Sequence, residues 1–380
     1  MPISLIIRSA LGVVAILLAA GGIWILTLPS PRRNSAVPPI PKSEVEVTLA
    51  ALKPPKRQRP LIAIIGANAG TEVNDYVMTY GILRRAEVAD VVALGTTSGP
   101  ITLYPVLKVQ SQATIAEFDT QHPDGADYVI VPAMSRDDDP AVLQWIKNQS
   151  AKHATIIGVC AGAKIVAAAG LLDGKRATTH WYYLKAMLKK HPSIRYVADR
   201  RFVVEPGIAT TTGITAAMPM TLTLIEAIAG RDKAEAVARS LGVAEWNARH
   251  DSSAFKFTRP FALTAMGNKL AFWNRDEFTV ELTSGIDEVS LAIVADAWSR
   301  TYRSHAVTFS RTAGAIETRN GLRLIPDRVL ETSALKQEQL PDFRGQPPAE
   351  ALDKTLDAIA ARYGAGTANL VAMQLEYSRR

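Results

Sequence analysis

Residues 155–170, TIIGVCAGAKIVAAAG, decide how this 380-residue chain is read. Thr155 to Val159 is a short apolar run of buried-strand type, and Lys164 to Gly170 is a small-residue helix that stops at its glycine. Between them Cys160 is framed by Gly158 and Gly162, the glycine-x-nucleophile-x-glycine pattern of a strand–turn–helix elbow. Glycines are expected there because such a turn strains the nucleophile's backbone and draws neighbouring chain close. The elbow also presents the thiol to a helix N-terminus, whose partial positive charge favours thiolate. A thiol pKa lowered from about 8.5 to roughly 4–7 is the expectation. Cys160 is the only cysteine, so it has no disulfide partner within the chain.

Outward from the elbow, strands and helices alternate. Leu61 to Gly66 is a continuous apolar run of strand length, Val73 to Arg85 has helical spacing, and Asp90 to Leu94 and Tyr128 to Val131 are further strands. A helix over Pro140 to Gln149 leads into the elbow strand. Arg201 to Val204 and Ile208 to Thr212 read as strands, and Ala216 to Ala229 and Asp232 to Leu241 as helices. The alternation predicts an α/β three-layer sandwich with a mostly parallel sheet, over residues 61–253. Ligands bind beyond the carboxyl ends of such strands, and Glu72, Ala133 and Cys160 each follow one. Phe255 to Phe278 has no clear period and receives no assignment.

At the N-terminus, Ser9 to Leu28 is apolar, uncharged and long enough to cross a bilayer as a helix. It is long for a cleaved signal peptide, and no small-x-small site follows it. Residues 1–28 are therefore read as an uncleaved anchor and residues 29–60, rich in proline and basic side chains, as an extended tether. The net charge of +7 owes much to Arg32, Arg33, Lys42, Lys53, Lys56, Arg57 and Arg59, which are read as flanking a membrane. This predicts a single-pass membrane protein. Arg32, Arg33 and Lys42 against Arg8 favour a bulk domain on the cytoplasmic side.

Residues 276–380 are read as a partial repeat followed by terminal helices. Glu72 aligns with Glu288, Val77 with Ile293, Arg84 with Arg300 and Val91 with Val307. One residue fewer in the second copy then brings Ile101 onto Ile316 and Leu107 onto Leu322. The implied order is strand, helix, strand and a short pair. No cysteine lies in this copy, so it is expected to be a structural or docking half-domain.

The set Gly70-Thr71-Glu72, Val131-Pro132, Gly158 to Gly162, Leu171-Leu172-Asp173-Gly174, Thr178-Thr179-His180 and Thr212-Gly213-Ile214-Thr215 resembles the ThiJ/PfpI family. That family is a branch of the class I glutamine amidotransferase-like superfamily. The similarity is greatest to the amidase-type domain of AraC-type regulators and to isocyanide hydratases. The resemblance implies a flavodoxin-like sandwich in which Glu72 hydrogen-bonds Cys160 and His180 lies nearby. Pro132-Ala133-Met134 replaces the family's Pro-Gly-Gly. No His-x-Glu pair follows His180, so glutamine amidotransfer is not expected. No C-terminal helix-turn-helix is found, and direct nucleic-acid binding is not expected.

Cys160, Glu72 and His180 are the candidate catalytic residues. The N–H groups of Ala161, Ala133 and Met134 are the candidate oxyanion donors. A carboxyl beside a thiolate is expected to stay protonated and donate to it. The six histidines show no ligand spacing, so neither a metal nor another cofactor is predicted. Two functions fit this set. One is a cysteine-dependent hydrolase or hydratase acting on a small electrophile; the other is a non-catalytic ligand or redox sensor using the same pocket. A small-molecule substrate or ligand, the membrane and a second copy of the chain are the partners these readings imply.

Overall fold

Strand β1, Leu61–Gly66, lies deep in the molecule with every residue buried, as a run without polar alternation requires. Ile62 and Ile64 enter one apolar core, while Leu61, Ala63 and Ile65 enter a second core on the other face. That is the two-residue period of a pleated strand. The structure is a computed structural model and describes residues 20–30, 37–330 and 338–378.

β1 is flanked by β3 (Asp90–Gly95) and β7 (Tyr128–Val131). Beyond β7 come β8 (Thr155–Gly158), β12 (Ile208–Thr211) and β11 (Phe202–Glu205); beyond β3 comes β6 (Ala113–Thr114). All these pairings are parallel except β11 with β12. Helices α4 (Ile115–Gln121), α5 (Pro140–Ala151) and α6 (Gly162–Ala168) cover one face. The other face carries α3 (Thr79–Ala86), α8 (Ala217–Ala229) and α9 (Arg231–Leu241). This is the flavodoxin-like α/β sandwich. β9 (Arg176–Ala177) and β10 (Arg195–Tyr196) form a separate parallel pair, and α7 (Trp181–Lys190) follows β9.

The C-terminal third adds a parallel sheet of β13 (Asp276–Glu281), β14 (Ser304–Ser310) and β17 (Arg328–Val329). Helix α11 (Glu288–Ser299) is buried along nearly its whole length between this sheet and the first core, and α12 (Pro348–Tyr363) and α13 (Ala365–Leu375) pack beside it. A further sheet joins both regions: β2 (Ala69–Glu72), β4 (Pro100–Tyr104) and β5 (Lys108–Gln110) continue into β16 (Arg323–Leu324) and β15 (Ile316–Glu317).

Several expectations change. The helix expected from Val73 opens as a π-helical turn over Asn74–Met78 before α3. The unassigned segment contains α10 (Arg259–Leu270), which starts with a Thr258 cap and a proline in its first turn. The tether is not simply extended, since α2 (Lys42–Ala51) docks against α8, and its Glu44 pairs with Arg200 at 2.5 Å. The basic residues after α2 also serve the fold. Arg57 pairs at 2.7 Å with the buried Asp127, which also accepts the N–H groups of Lys56, Arg57 and Leu61. Arg59 pairs with Asp90.

The membrane assignment is corrected as well. Residues 9–19 of the apolar run lie outside the described residues, and its remainder forms α1, residues 20–27. Trp24 packs on Phe257, and the Leu26 carbonyl accepts from Arg259. Among the described residues no helix is long and apolar enough to cross a membrane. The single-pass membrane localisation and the membrane as partner are therefore withdrawn.

Candidate functional site

The elbow forms where β8 ends and α6 begins, and Cys160 between them has φ 55°. A side chain pays a steric cost in that left-handed region. Local bonds hold it there: the Cys160 N–H donates to Thr211 Oγ1 (2.9 Å), and Thr179 Oγ1 donates to the Cys160 carbonyl (3.0 Å). Gly162 is required on different grounds. A Cβ at that position would lie 1.9 Å from the Val131 carbonyl oxygen.

Glu72 ends β2 and is buried. One carboxylate oxygen accepts the Asp75 N–H at 2.6 Å and the other accepts from Arg300 Nη2 at 2.8 Å. Arg300 also pairs with Asp296 at 2.7 Å, and Asp296 accepts from Asn74 Nδ2 at 2.6 Å. Asp75 Oδ2 accepts the Ala133 N–H at 2.9 Å, while its Oδ1 is buried without a hydrogen-bond partner. Two buried carboxyl groups, Glu72 and Asp296, thus share one guanidinium, and a third, Asp75, lies within reach of its charge. Burial, then the charge of Asp296, pushes Glu72 up to about 7 against the opposing pull of Arg300. Burial and the neighbouring Glu72 push Asp75 well above the usual carboxylate range.

Cys160 itself is buried, and desolvation with the charges of Asp75 and Glu72 pushes its thiol up, while the Ala161 N–H opposes them. This reverses the expected depression. The following helix has seven residues, and its partial charge is outweighed by desolvation and by two acids. Glu72 does not take the hydrogen bond to Cys160 that the resemblance implies. Its oxygens go to Asp75 and Arg300 instead.

His180 caps α7. Its Nδ1 accepts the Tyr182 N–H at 3.1 Å, so Nε2 carries the proton and donates to the Gln374 carbonyl at 3.0 Å. Both ring nitrogens are committed to backbone, and burial lowers the ring's pKa. Thr179, one residue earlier, is the member of that motif that touches the elbow. Among the candidate oxyanion donors, Ala161 gives its N–H to the sulfur, Ala133 gives its N–H to Asp75, and Met134 bridges to the Thr71 backbone. The closing side is supplied by the chain's end. Glu376 Oε1 meets His250 Nε2 at 2.9 Å, and Glu376 Oε2 accepts the Trp181 N–H at 3.3 Å. Among the described residues no group of three or more His, Cys, Asp and Glu side chains is placed to hold a metal ion.

Asp75, Asp296, Arg300 and Glu376 are the site residues that sequence reasoning missed. Asp75 carried a signal, since it follows Glu72 by three residues, the spacing at which an acidic side chain before a helix accepts a first-turn N–H.

The sequence of the first region matches the profile of the DJ-1/PfpI family over residues 61–227. These residues form a DJ-1/PfpI family domain. Isonitrile hydratase of Pseudomonas putida is 38% identical to the chain over 101 residues, 26% of this chain and 42% of that protein. The HTH-type transcriptional regulator CdhR of Pseudomonas aeruginosa is 31% identical over 112 residues, 30% of this chain and 33% of the regulator. The chain thus spans less than half the length of either relative. Among solved structures, Drosophila melanogaster DJ-1beta is 23% identical with a TM-score of 0.45, covering 49% of this chain and 100% of that one. The DJ-1/PfpI domain contributes Cys160, Glu72, Asp75 and His180 to the site, whereas Arg300, Gln374 and Glu376 come from outside the matched residues.

Proposed function

We propose that Cys160 and Glu72 are the reacting pair of a hydratase or hydrolase that adds a thiol to a small electrophilic carbon. The observation supporting this is the placement of Glu72: a buried carboxyl, near enough for its charge to act on Cys160, that exchanges its proton at about 7. A group poised there serves as general acid and base at neutral pH. The 38% identity with isonitrile hydratase over 101 residues supports an isonitrile as the substrate class. Sulfur bonds the terminal carbon, protonated Glu72 delivers a proton to that carbon, and the thiol proton returns to Glu72. Water then adds to the thioimidate, the carbon–sulfur bond breaks, and the thiol regains its proton. One isonitrile and one water become one N-substituted formamide.

Turnover of small isonitriles, followed as formamide, tests this. Wild-type protein should produce it, Cys160→Ser should produce none, and Glu72→Gln should be slower by about 100-fold or more. Wild-type protein indistinguishable from Cys160→Ser across the panel would refute the reading.

A second reading, a ligand or redox sensor, draws on how closed the site is. Cys160 is 3% exposed. A cavity of about 530 Å³, which Cys160 does not line, lies between the DJ-1/PfpI domain and the C-terminal helices, with Asn74, Met78, Met218, Trp246, Ile293 and Leu375 in its wall. Small-molecule binding that shifts the unfolding temperature without any turnover, and survives Cys160→Ser, would favour this reading.

A further inference from the structure

The C-terminal strands reproduce the pairing of the first region residue by residue. In the first hairpin Ile101 faces Val109 and Thr102 faces Lys108; in the second, Ile316 faces Leu324 and Glu317 faces Arg323. These are the same positions once Leu107 is matched to Leu322. The outer parallel pair repeats as well. Leu94 faces Ala113 and Gly95 faces Thr114, and at the equivalent positions Phe309 faces Arg328 and Ser310 faces Val329. The missing residue therefore falls in the helix-to-strand connection, before β14, which matches Val91 to Ala306 rather than Val307.

The two copies meet symmetrically. β5 pairs antiparallel with β16, so that Val109 faces Leu324, its own equivalent, and Gln110 faces Arg323, the equivalent of Lys108. The reciprocal contact is present too: the Ile325 N–H donates to the Lys108 carbonyl at 2.8 Å. A sheet running β15-β16-β5-β4 is thus a hairpin laid against its own copy about a local twofold axis. The helices obey the same axis. Arg300 reaches Glu72 directly, while its equivalent Arg84 donates to the Asn320 carbonyl, and Asn320 Nδ2 donates to Glu288, the equivalent of Glu72.

We propose that residues 276–329 are a truncated second copy of the domain's first third, placed where a twofold-related partner would sit. In this arrangement Arg300 is a positioning residue that reaches across the axis to hold Glu72 at the reactive site. The second copy has lost the elbow and kept the arginine. Its β16 occupies the β5 edge, so a second molecule cannot pair there. The Arg300 role rests on Glu72 belonging to the reactive site, and its test reads the carboxyl itself rather than turnover.

Infrared titration of the full chain, with the Glu72 carboxyl band assigned by Glu72→Gln, gives the Glu72 midpoint. Arg300→Met should raise it by about one unit or more, because a buried opposite charge is lost. Arg300→Lys, which keeps the charge, should stay close to wild type and serves should Arg300→Met not fold. An unchanged midpoint in folded Arg300→Met, or a rise of equal size in Arg300→Lys, would overturn the role. A failure of isonitrile turnover would leave this midpoint shift intact, so the two readings fail separately. The second-copy placement is tested in a Cys160→Ser chain carrying Val109→Cys and Leu324→Cys. These two face each other in a non-hydrogen-bonded pair, where side chains approach closely. Oxidation should close a disulfide within one chain. Cross-linked dimers, or cysteines that stay unlinked, would overturn the placement.

Discussion

At Gly162 a single methyl group decides whether the elbow can form. The added Cβ would lie 1.9 Å from the Val131 carbonyl oxygen, and backbone on both sides must move to admit it. Gly162→Ala should therefore cost about 3 kcal/mol by denaturant unfolding; a cost below about 0.5 kcal/mol would show that the turn is looser than described. Glu72 sets a pH dependence of defined sign. Its carboxyl is held at about 7, against 4.5 when unperturbed. Between those values the folded chain binds more protons than the unfolded one, so stability falls as pH rises from about 4.5 to about 7. The loss attributable to Glu72 is at most about 3 kcal/mol, with Asp75 sharing the proton. Unfolding free energies at pH 5 and pH 7.5 should differ less in Glu72→Gln than in wild type. Parallel pH curves for the two proteins would remove Glu72 as the cause.

At the scale of elements, the end of α13 is the piece that closes the site. Glu376 adopts φ 55° after the helix and is buried against His250 and Trp181, and its backbone carbonyl accepts from Thr215. It packs so closely that a Cβ on Gly213 would lie 2.2 Å from its own. Glu376→Ala leaves the Trp181 N–H and a ring nitrogen of His250 without this partner, and should destabilise by about 2–3 kcal/mol, with Glu376→Gln milder. Iodoacetamide labelling of Cys160 should become several-fold faster in Glu376→Ala; unchanged labelling would mean this end does not govern access. Such contacts explain what was legible in the sequence and what was not. Leu61 to Gly66 and the elbow announce themselves because apolar runs and glycine spacing are local signals. The same holds for Ile101 and Ile316, equivalent positions in the two hairpins, which a local alignment finds. α10 was hidden because the side that packs carries Ala262 and Asn268, while Leu263, Met266 and Leu270 face outward, so the buried side is not the apolar one. Arg300 reaches Glu72 across 228 residues and Glu376 reaches Trp181 across 195, by packing that no local pattern records. The thiol's raised pKa was missed for the same reason: the helix end that favours thiolate is written beside Cys160, whereas the acids and the desolvation are not.

At the scale of the whole molecule, one apolar core runs from Ile62 and Tyr76 of the DJ-1/PfpI domain through Val289, Leu291 and Ile293 of α11 to Leu356 and Leu375. The carboxyl cluster at the site crosses the same seam, since Asn74 and Glu72 are bonded to Asp296 and Arg300. Burying a Val, Leu or Ile side chain stabilises by about 1.5–3 kcal/mol. Five such residues from the C-terminal region therefore amount to about 10 kcal/mol, comparable with the about 5–15 kcal/mol that holds a domain folded. A chain ending after residue 253 would lose that burial and would leave Glu72 and Asp75 in place without Arg300. It should not fold cooperatively, although it retains every strand of the main sheet. In the intact chain the two regions should unfold together, so the slowest-exchanging amides of β8 and β14 should report the same opening free energy at the global limit. A C-terminal region that opens several kcal/mol below β8, or a 253-residue chain with an intact unfolding transition, would show that the second region docks on a self-sufficient domain. Equal opening energies would make the candidate site the property of both regions, because the Glu72 carboxyl and the arginine bonded to it would stand or fall together.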